Sequence, residues 1–385
     1  MMATLSNDKR LPMPMVPEDI SAEWLSSILG QKVQSFNTTS TILNQTTGKV
    51  FIELTYEDGI ASNGEDRPAH LCLKGSFNPA MANMPGYAEI LYMAYSQEVH
   101  FFARVAPKLP TKVLRLPKVW WAGASPKQMQ GICAMEDLNR RPGIRYGEPA
   151  TSAPLHEVLA CVEQLAALHG ATWRGSSAIE DDAMPSSKGY ETVMLGLTLG
   201  WEAMVLHPQR PTIPAAYRDQ ARTTAALKKH FATKNPRFQC LVHGDAHVGN
   251  LFVDDSGPGF LDWQFASVGS AFHDVAYYVV GALSVADRRA HEDSVLEHYL
   301  ASLARLGGPT LDWRGDEDVR REYHKCIIAG MGWVLTPEQM QRRERVHAMV
   351  ERYAAAFEDH QVIELIESWP EPSSASTGYS SDSSS

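Results

Sequence analysis

Between Leu241 and Tyr278 the chain gathers oxygen-bearing side chains at regular intervals: LVHGDAHVGNLFVDDSGPGFLDWQFASVGSAFHDVAYY. Asn250 stands five residues after Asp245, and Asp262 follows twelve residues later. Two short apolar runs, Leu251 to Val253 and Gly259 to Leu261, read as strands joined by a turn at Asp254 to Pro258. One hairpin then carries Asp245 and Asn250 at its entry and Asp262 at its exit. A carboxylate such as Asp245 can accept the proton of a hydroxyl. An amide oxygen and a carboxylate are hard donors of the kind Mg²⁺ selects, and that ion leaves coordination positions open for substrate phosphates. Together these are the parts that phosphoryl transfer requires.

Such a site needs elements to hold it. Upstream, Ala69 to Gly75 has strand character, with Lys74 in phase with Cys72 and out of phase with Leu71 and Leu73. The following segment, Tyr87 to Val105, places Leu91, Tyr95, Glu98, Phe102 and Val105 on one helical face. A carboxylate inside an apolar stripe is costly unless paired, so Glu98 calls for a cation, and Lys74 is the nearest upstream candidate. Before them, Gln34 to Leu43 and Lys49 to Tyr56 form a hairpin around Asn44-Gln45-Thr46-Thr47-Gly48. That turn reads either as a plain hairpin turn or as a flap over phosphates. Strands are expected at Lys112 to Trp121 and Gln130 to Glu136, and a helix at Glu18 to Leu29 stopped by Gly30. From Pro154 onward the pattern is mostly helical: Leu155 to His169, Glu191 to Leu206, Ala215 to Thr233, His291 to Leu306, Asp316 to Leu335 and Pro337 to Trp369. Val275 to Ala286 reads as a buried core helix, His169 as a core histidine, and Asp274 as the cap of the helix that follows it.

The ordered set Lys74, Glu98, His243-x-Asp245-x4-Asn250 and Asp262 resembles the protein-kinase-like small-molecule phosphotransferases: aminoglycoside phosphotransferases, choline kinases and the ecdysteroid-kinase-like group. Asp262-Trp263-Gln264 with His273-Asp274-Val275-Ala276-Tyr277 leans toward the last of these. The resemblance implies an α+β, two-lobed fold with a small antiparallel-sheet lobe (1–138), a larger helical lobe (139–369) and a disordered Ser-rich tail (370–385). It implies ATP and Mg²⁺ as cofactors, with Asp245 catalytic and Asn250 and Asp262 holding the metal. Lys74 and Glu98 would serve the nucleotide phosphates, Thr46, Thr47 and Gly48 the phosphate flap, and Met135 and Asp137 the adenine at the interlobe hinge. His243 would brace the loop. The acceptor would be a hydroxyl of a small molecule, whether a hydroxylated metabolite, an antibiotic or an amino alcohol. The chain departs from protein kinases in its single-Gly turn, in Asp-Trp-Gln and in lacking Ala-Pro-Glu after Asp262, which argues against a protein substrate.

A length of 385 residues suggests two domains or one two-lobed fold, and 44% hydrophobic with 21% charged residues suits a globular enzyme. A net charge of −10 without a long basic run argues against nucleic acid or anionic membrane as partner. The five scattered cysteines read as buried thiols, and the first ten residues lack an apolar signal core, so a cytoplasmic location is expected. Two rival readings use the same residues. One is a metal-dependent hydrolase built on His243, Asp245 and His247 with His273 nearby; the other is a catalytically inactive scaffold of the same fold.

Overall fold

The computed structural model describes residues 11–45, 48–57, 67–78, 80, 87–110, 113–174 and 186–370; the expectations placed on Thr46, Thr47 and the Ser-rich segment 371–385 lie outside them. The small lobe opens with helix α1 (Ala22–Leu29), whose first turn is capped by the Ser21 hydroxyl accepting the Trp24 N–H. Strands β1 (Val33–Leu43), β2 (Gly48–Tyr56) and β3 (His70–Gly75) follow, then helix α2 (Tyr87–His100), β4 (Val119–Ser125) and β5 (Gln130–Glu136). The five strands form one antiparallel sheet in the order β1-β2-β3-β5-β4.

The period of two decides what each face does. Val50, Ile52, Leu54, Leu71, Leu73, Ile132 and Ala134 pack on one face with Trp24 and Leu25 of α1. The intervening residues Lys49, Phe51, Cys72, Lys74 and Met135 line a cleft on the other. Helix α2 lies close on β5: a Cβ at Gly131 would meet the Tyr95 backbone at 3.0 Å.

The larger lobe begins with the two-residue strand β6 (Arg145–Tyr146) and continues through α3 (Leu155–Thr172), α4 (Lys188–Leu197) and α5 (Gln220–Ala232). Next come β7 (Gln239–Val242), the hairpin β8 (Leu251–Asp254) and β9 (Gly257–Phe260), β10 (Ser267–Ser270) and α6 (Ala271–Ala282). The lobe closes with α7 (Val285–Arg305), α8 (Glu317–Cys326), α9 (Arg343–Asp359) and α10 (Val362–Glu367). Every residue of α6 is buried, and its polar members His273 and Asp274 are hydrogen-bonded to the backbone of the neighbouring loop. None of the described helices is long and apolar enough to cross a membrane, and all five cysteines are buried free thiols.

Several element boundaries differ from the sequence reading. Lys112, where a strand is expected to start, lies outside the described residues; among those described the strand begins only at Val119. Before it, Pro110 C=O accepts the N–H groups of Val113 and Leu114 in a turn, and Leu114 is buried in the core. The turn of the β8–β9 hairpin is two residues, Asp255-Ser256, because Asp254 pairs with Gly257, which takes φ +111°. The apolar run ends as a helix at Ala282, and Ser284 caps a new one. The expected 337–369 helix starts at Arg343 and breaks at Gln361, whose φ is +47°. The 191–206 and 316–335 helices are likewise shorter, finishing in tighter or looser turns.

Candidate functional site

A cavity of about 300 Å³ separates the sheet from the larger lobe. Lys49, Phe51, Cys72, Lys74 and Met135 form its sheet side, and Gly249, Asn250, Leu261 and Asp262 its floor, with Leu138, Tyr146 and Arg345 at the edge. The volume and the mixed apolar and polar lining suit a small-molecule site.

Lys74 organises the inner end. Its ammonium lies 2.8 Å from Glu98 and 3.0 Å from Asp262 Oδ1, with Lys74 and Glu98 almost fully buried and the Asp262 side chain 29% exposed. Burial alone would lower the Lys74 pKa, but Asp262 and Glu98 outweigh it and raise it. One cation cannot fully compensate two carboxylates. Burial therefore leaves Glu98 above its ordinary value despite Lys74, whereas at Asp262 the charges of Lys74 and Lys49 overcome burial and hold the carboxyl low. Glu98 Oε1 also accepts the Trp263 N–H at 3.2 Å, and Trp263 stacks on Phe101 at 3.9 Å. The residue after Asp262 is thus locked to α2 and its extension. Asp262 itself takes φ +65°, a conformation that only Asn, Asp and Gly adopt readily.

The loop before β8 carries Asp245 and Asn250. The Asn250 amide donates to the Asp245 backbone oxygen and to Oδ2, both at 3.0 Å. Its own oxygen remains as the metal-competent atom. Burial, reinforced by the charge of Asp262, pushes the Asp245 carboxyl well above its usual range, against hydrogen bonds from Asn250 and Tyr277. Asn250 and Asp262 are hard oxygen donors at the same end of the cleft, a donor set that fits Mg²⁺.

Asp274 is not a helix cap. Ser270 occupies the N-cap of α6, and the Asp274 carboxylate, one turn in, accepts the backbone N–H groups of His243 and Gly244 and meets His169 Nε2 at 3.2 Å. Burial opposes its charge, but the His169 hydrogen bond and the neighbouring imidazoles keep its carboxyl low. Asp274 therefore fixes the approach to Asp245. His169 is fully buried, with its second nitrogen on Tyr299.

The imidazoles near Asp245 are already engaged. His243 Nε2 donates to Leu261 C=O and its Nδ1 accepts the Asp245 N–H. His247 Nδ1 accepts the Gly249 N–H, and His273 Nε2 donates to Gly244 C=O. Burial, with the charge of His243 added, takes the His247 pKa down to about 3. Among the described residues no group of three or more His, Cys, Asp or Glu side chains could hold a metal, so nothing supports the hydrolase reading.

Gly48 and Asp137 have protein partners of their own. Gly48 donates its N–H to Tyr95 Oη, and a Cβ there would meet Gly75 C=O at 2.5 Å. Close packing of β2 on β3 explains this glycine without any phosphate. Asp137 turns its side chain to the Asn139 N–H and to Arg140, while Met135 beside it lines the cleft. The sequence reading missed Lys49, Phe51, Leu261, Tyr146 and Arg345. For Lys49 and Phe51 the signal was present, since they share the phase opposite to Val50 and Ile52.

Residues 91–315 match the model of the phosphotransferase enzyme family. No curated protein matches the sequence. Among solved structures, the chain is similar to a macrolide 2′-phosphotransferase from Brachybacterium faecium, with 19% identity over 86% of this chain and 96% of the other and a TM-score of 0.43. A choline/ethanolamine kinase family protein from Mesorhizobium loti shows 15% identity over 86% and 91%, with a TM-score of 0.45. A choline kinase from Cryptosporidium parvum shows 10% identity over 92% and 96%, with a TM-score of 0.48.

Proposed function

From the premise that this chain belongs to the phosphotransferase enzyme family, we propose that it transfers the γ-phosphoryl group of ATP to a hydroxyl of a small molecule. The observation that carries this reading is the convergence of Lys74, Glu98 and Asp262 in one buried ion network beside the Asp245–Asn250 pair. Mg²⁺, held by Asn250 and Asp262, would supply neutralisation of charge on the phosphate oxygens.

The protein's own groups have separable tasks. Lys74, oriented by Glu98, offsets charge on the phosphates that are not transferred. Met135 and Phe51 offer apolar surface to the base, beside the strand that leads to the hinge. Asp245 orients the acceptor hydroxyl and takes its proton; its raised pKa brings it closer to the range where proton transfer is efficient. Asp274 positions the backbone before Asp245 and touches no substrate. The lobes divide near residue 138, where β5 ends and the larger lobe begins.

The test is ADP release from Mg-ATP in the presence of a panel of hydroxylated small molecules, with wild type and Asp245→Asn compared. Wild type turns over at least one acceptor class. Asp245→Asn loses roughly 10²- to 10⁴-fold in kcat while binding Mg-ATP as before. In wild type kcat rises with pH as Asp245 ionises, since the base must be ionised. Mg-ATP binding without turnover of any acceptor would favour the inactive-scaffold reading, and no nucleotide binding at all would overturn the proposal.

A further inference from the structure

We propose that Lys49 on β2 is a second phosphate-binding lysine, doing with a side chain what a glycine-rich loop would do with backbone N–H groups. The inference rests on the nucleotide reading above and goes beyond it in assigning a residue.

Lys49 lies directly across the β2–β3 ladder from Lys74, and both line the cleft. Like charges placed opposite each other on neighbouring strands repel, so the arrangement is costly unless anions relieve it. Lys74 is relieved by Glu98 and Asp262. Its ammonium already meets two carboxylates while it lines the cleft. Lys49 is partly buried, and no hydrogen bond or ion pair joins it to any of the described residues. It is the sheet-side cation of the cleft with uncommitted charge.

The neighbouring Gly48 offers no free backbone donor. In this chain the Gly48 N–H is taken by Tyr95 Oη, and the glycine is pressed against Gly75. That amide is not free to cradle an anion. A long, flexible ammonium one residue further on can reach a polyphosphate whose other side is held from the larger lobe.

The experiment measures binding of Mg-ATP and of adenosine to the full chain in wild type, Lys49→Met and Lys49→Arg. Lys49→Met weakens Mg-ATP by about tenfold or more while adenosine changes by less than about twofold. Lys49→Arg keeps most of the Mg-ATP affinity. Relief of the opposed charges also leaves the unliganded Lys49→Met protein at least as heat-stable as wild type. Unchanged Mg-ATP binding in Lys49→Met, or equal loss for adenosine, overturns the inference. Should Lys49→Met fail to fold, Lys49→Gln removes the same charge with a polar side chain and is read in the same way. Wild type that binds no Mg-ATP would instead overturn the proposed function itself.

Discussion

Asp262→Asn separates what this carboxylate does for a ligand from what it does for the fold. Asparagine keeps the side-chain shape and tolerates the left-handed backbone at φ +65°, so only charge is removed. In the unliganded protein Lys74 still has Glu98 at 2.8 Å. Loss of the 3.0 Å contact to Asp262 is offset by loss of the repulsion that helps raise the Glu98 pKa. The variant's own stability therefore changes by less than about 1 kcal/mol, as for a partly exposed ion pair. The liganded protein behaves differently. Mg-ATP at 100 times its Kd stabilises wild type by about 2.7 kcal/mol, roughly 3 °C in Tm for a chain of this length. Removing a metal-ligating charge at a cost of about 100-fold in affinity brings the same concentration close to Kd, where stabilisation is only about 0.4 kcal/mol. Thermal unfolding of both proteins with and without Mg-ATP reads this directly. Equal shifts would refute the metal assignment. An unliganded variant destabilised by more than about 2 kcal/mol would refute the charge accounting around Lys74.

Asp274→Ala strands the His243 and Gly244 N–H groups and leaves His169 without its carboxylate in a fully buried site; it costs about 3–5 kcal/mol in urea unfolding, and a loss under about 1 kcal/mol would show that the loop is held by other means. Asp254 ties the β8–β9 hairpin to the segment before β4 and to the one after β5, through both oxygens to Arg115 at 2.7 Å and through one to Arg141 at 2.8 Å. Hydrogen bonds from Arg115 above all hold its carboxyl below the ordinary value of 3.8. A depressed folded pKa contributes stability that is present above the unfolded value and lost as pH falls through the folded one. Asp254→Asn therefore costs about 2 kcal/mol at pH 7, and the gap to wild type narrows as pH drops below about 4; a gap constant from pH 7 to pH 3 would contradict this.

The chemistry-bearing residues were legible because each carried a local signature. Asp245, Asn250 and Asp262 sit at fixed spacings around two short apolar runs, and a hairpin brings its own ends together whatever the rest of the chain does. Glu98 stood out as a charge in an apolar helical stripe, and the strand phase put Lys74 on the face opposite to Leu71 and Leu73. Their meeting was a sound inference because burial makes an unpaired charge too expensive. Helix ends were less legible. A periodic pattern continues across Ser284 and Gln361, but Ser284 caps a new helix and Gln361 takes φ +47° so that the chain beyond it packs on α5 and α8, and only tertiary contact imposes those breaks.

What the sequence determined by itself, then, was the period of its main elements and the residue types available for chemistry, since period and spacing are local and one-dimensional; the class of fold came with the family resemblance those residues carry. Tertiary structure decided which of those groups are free to act. It took the Gly48 N–H for Tyr95, spent the imidazoles of His243, His247 and His273 on the backbone, and turned Asp274 from a cap into a brace for the loop. It also left Lys49 uncommitted across from Lys74. The physical reason is that a polar group's chemistry depends on whether its hydrogen-bonding and charge capacity is already used. In a packed interior that is settled by neighbours distant in the chain.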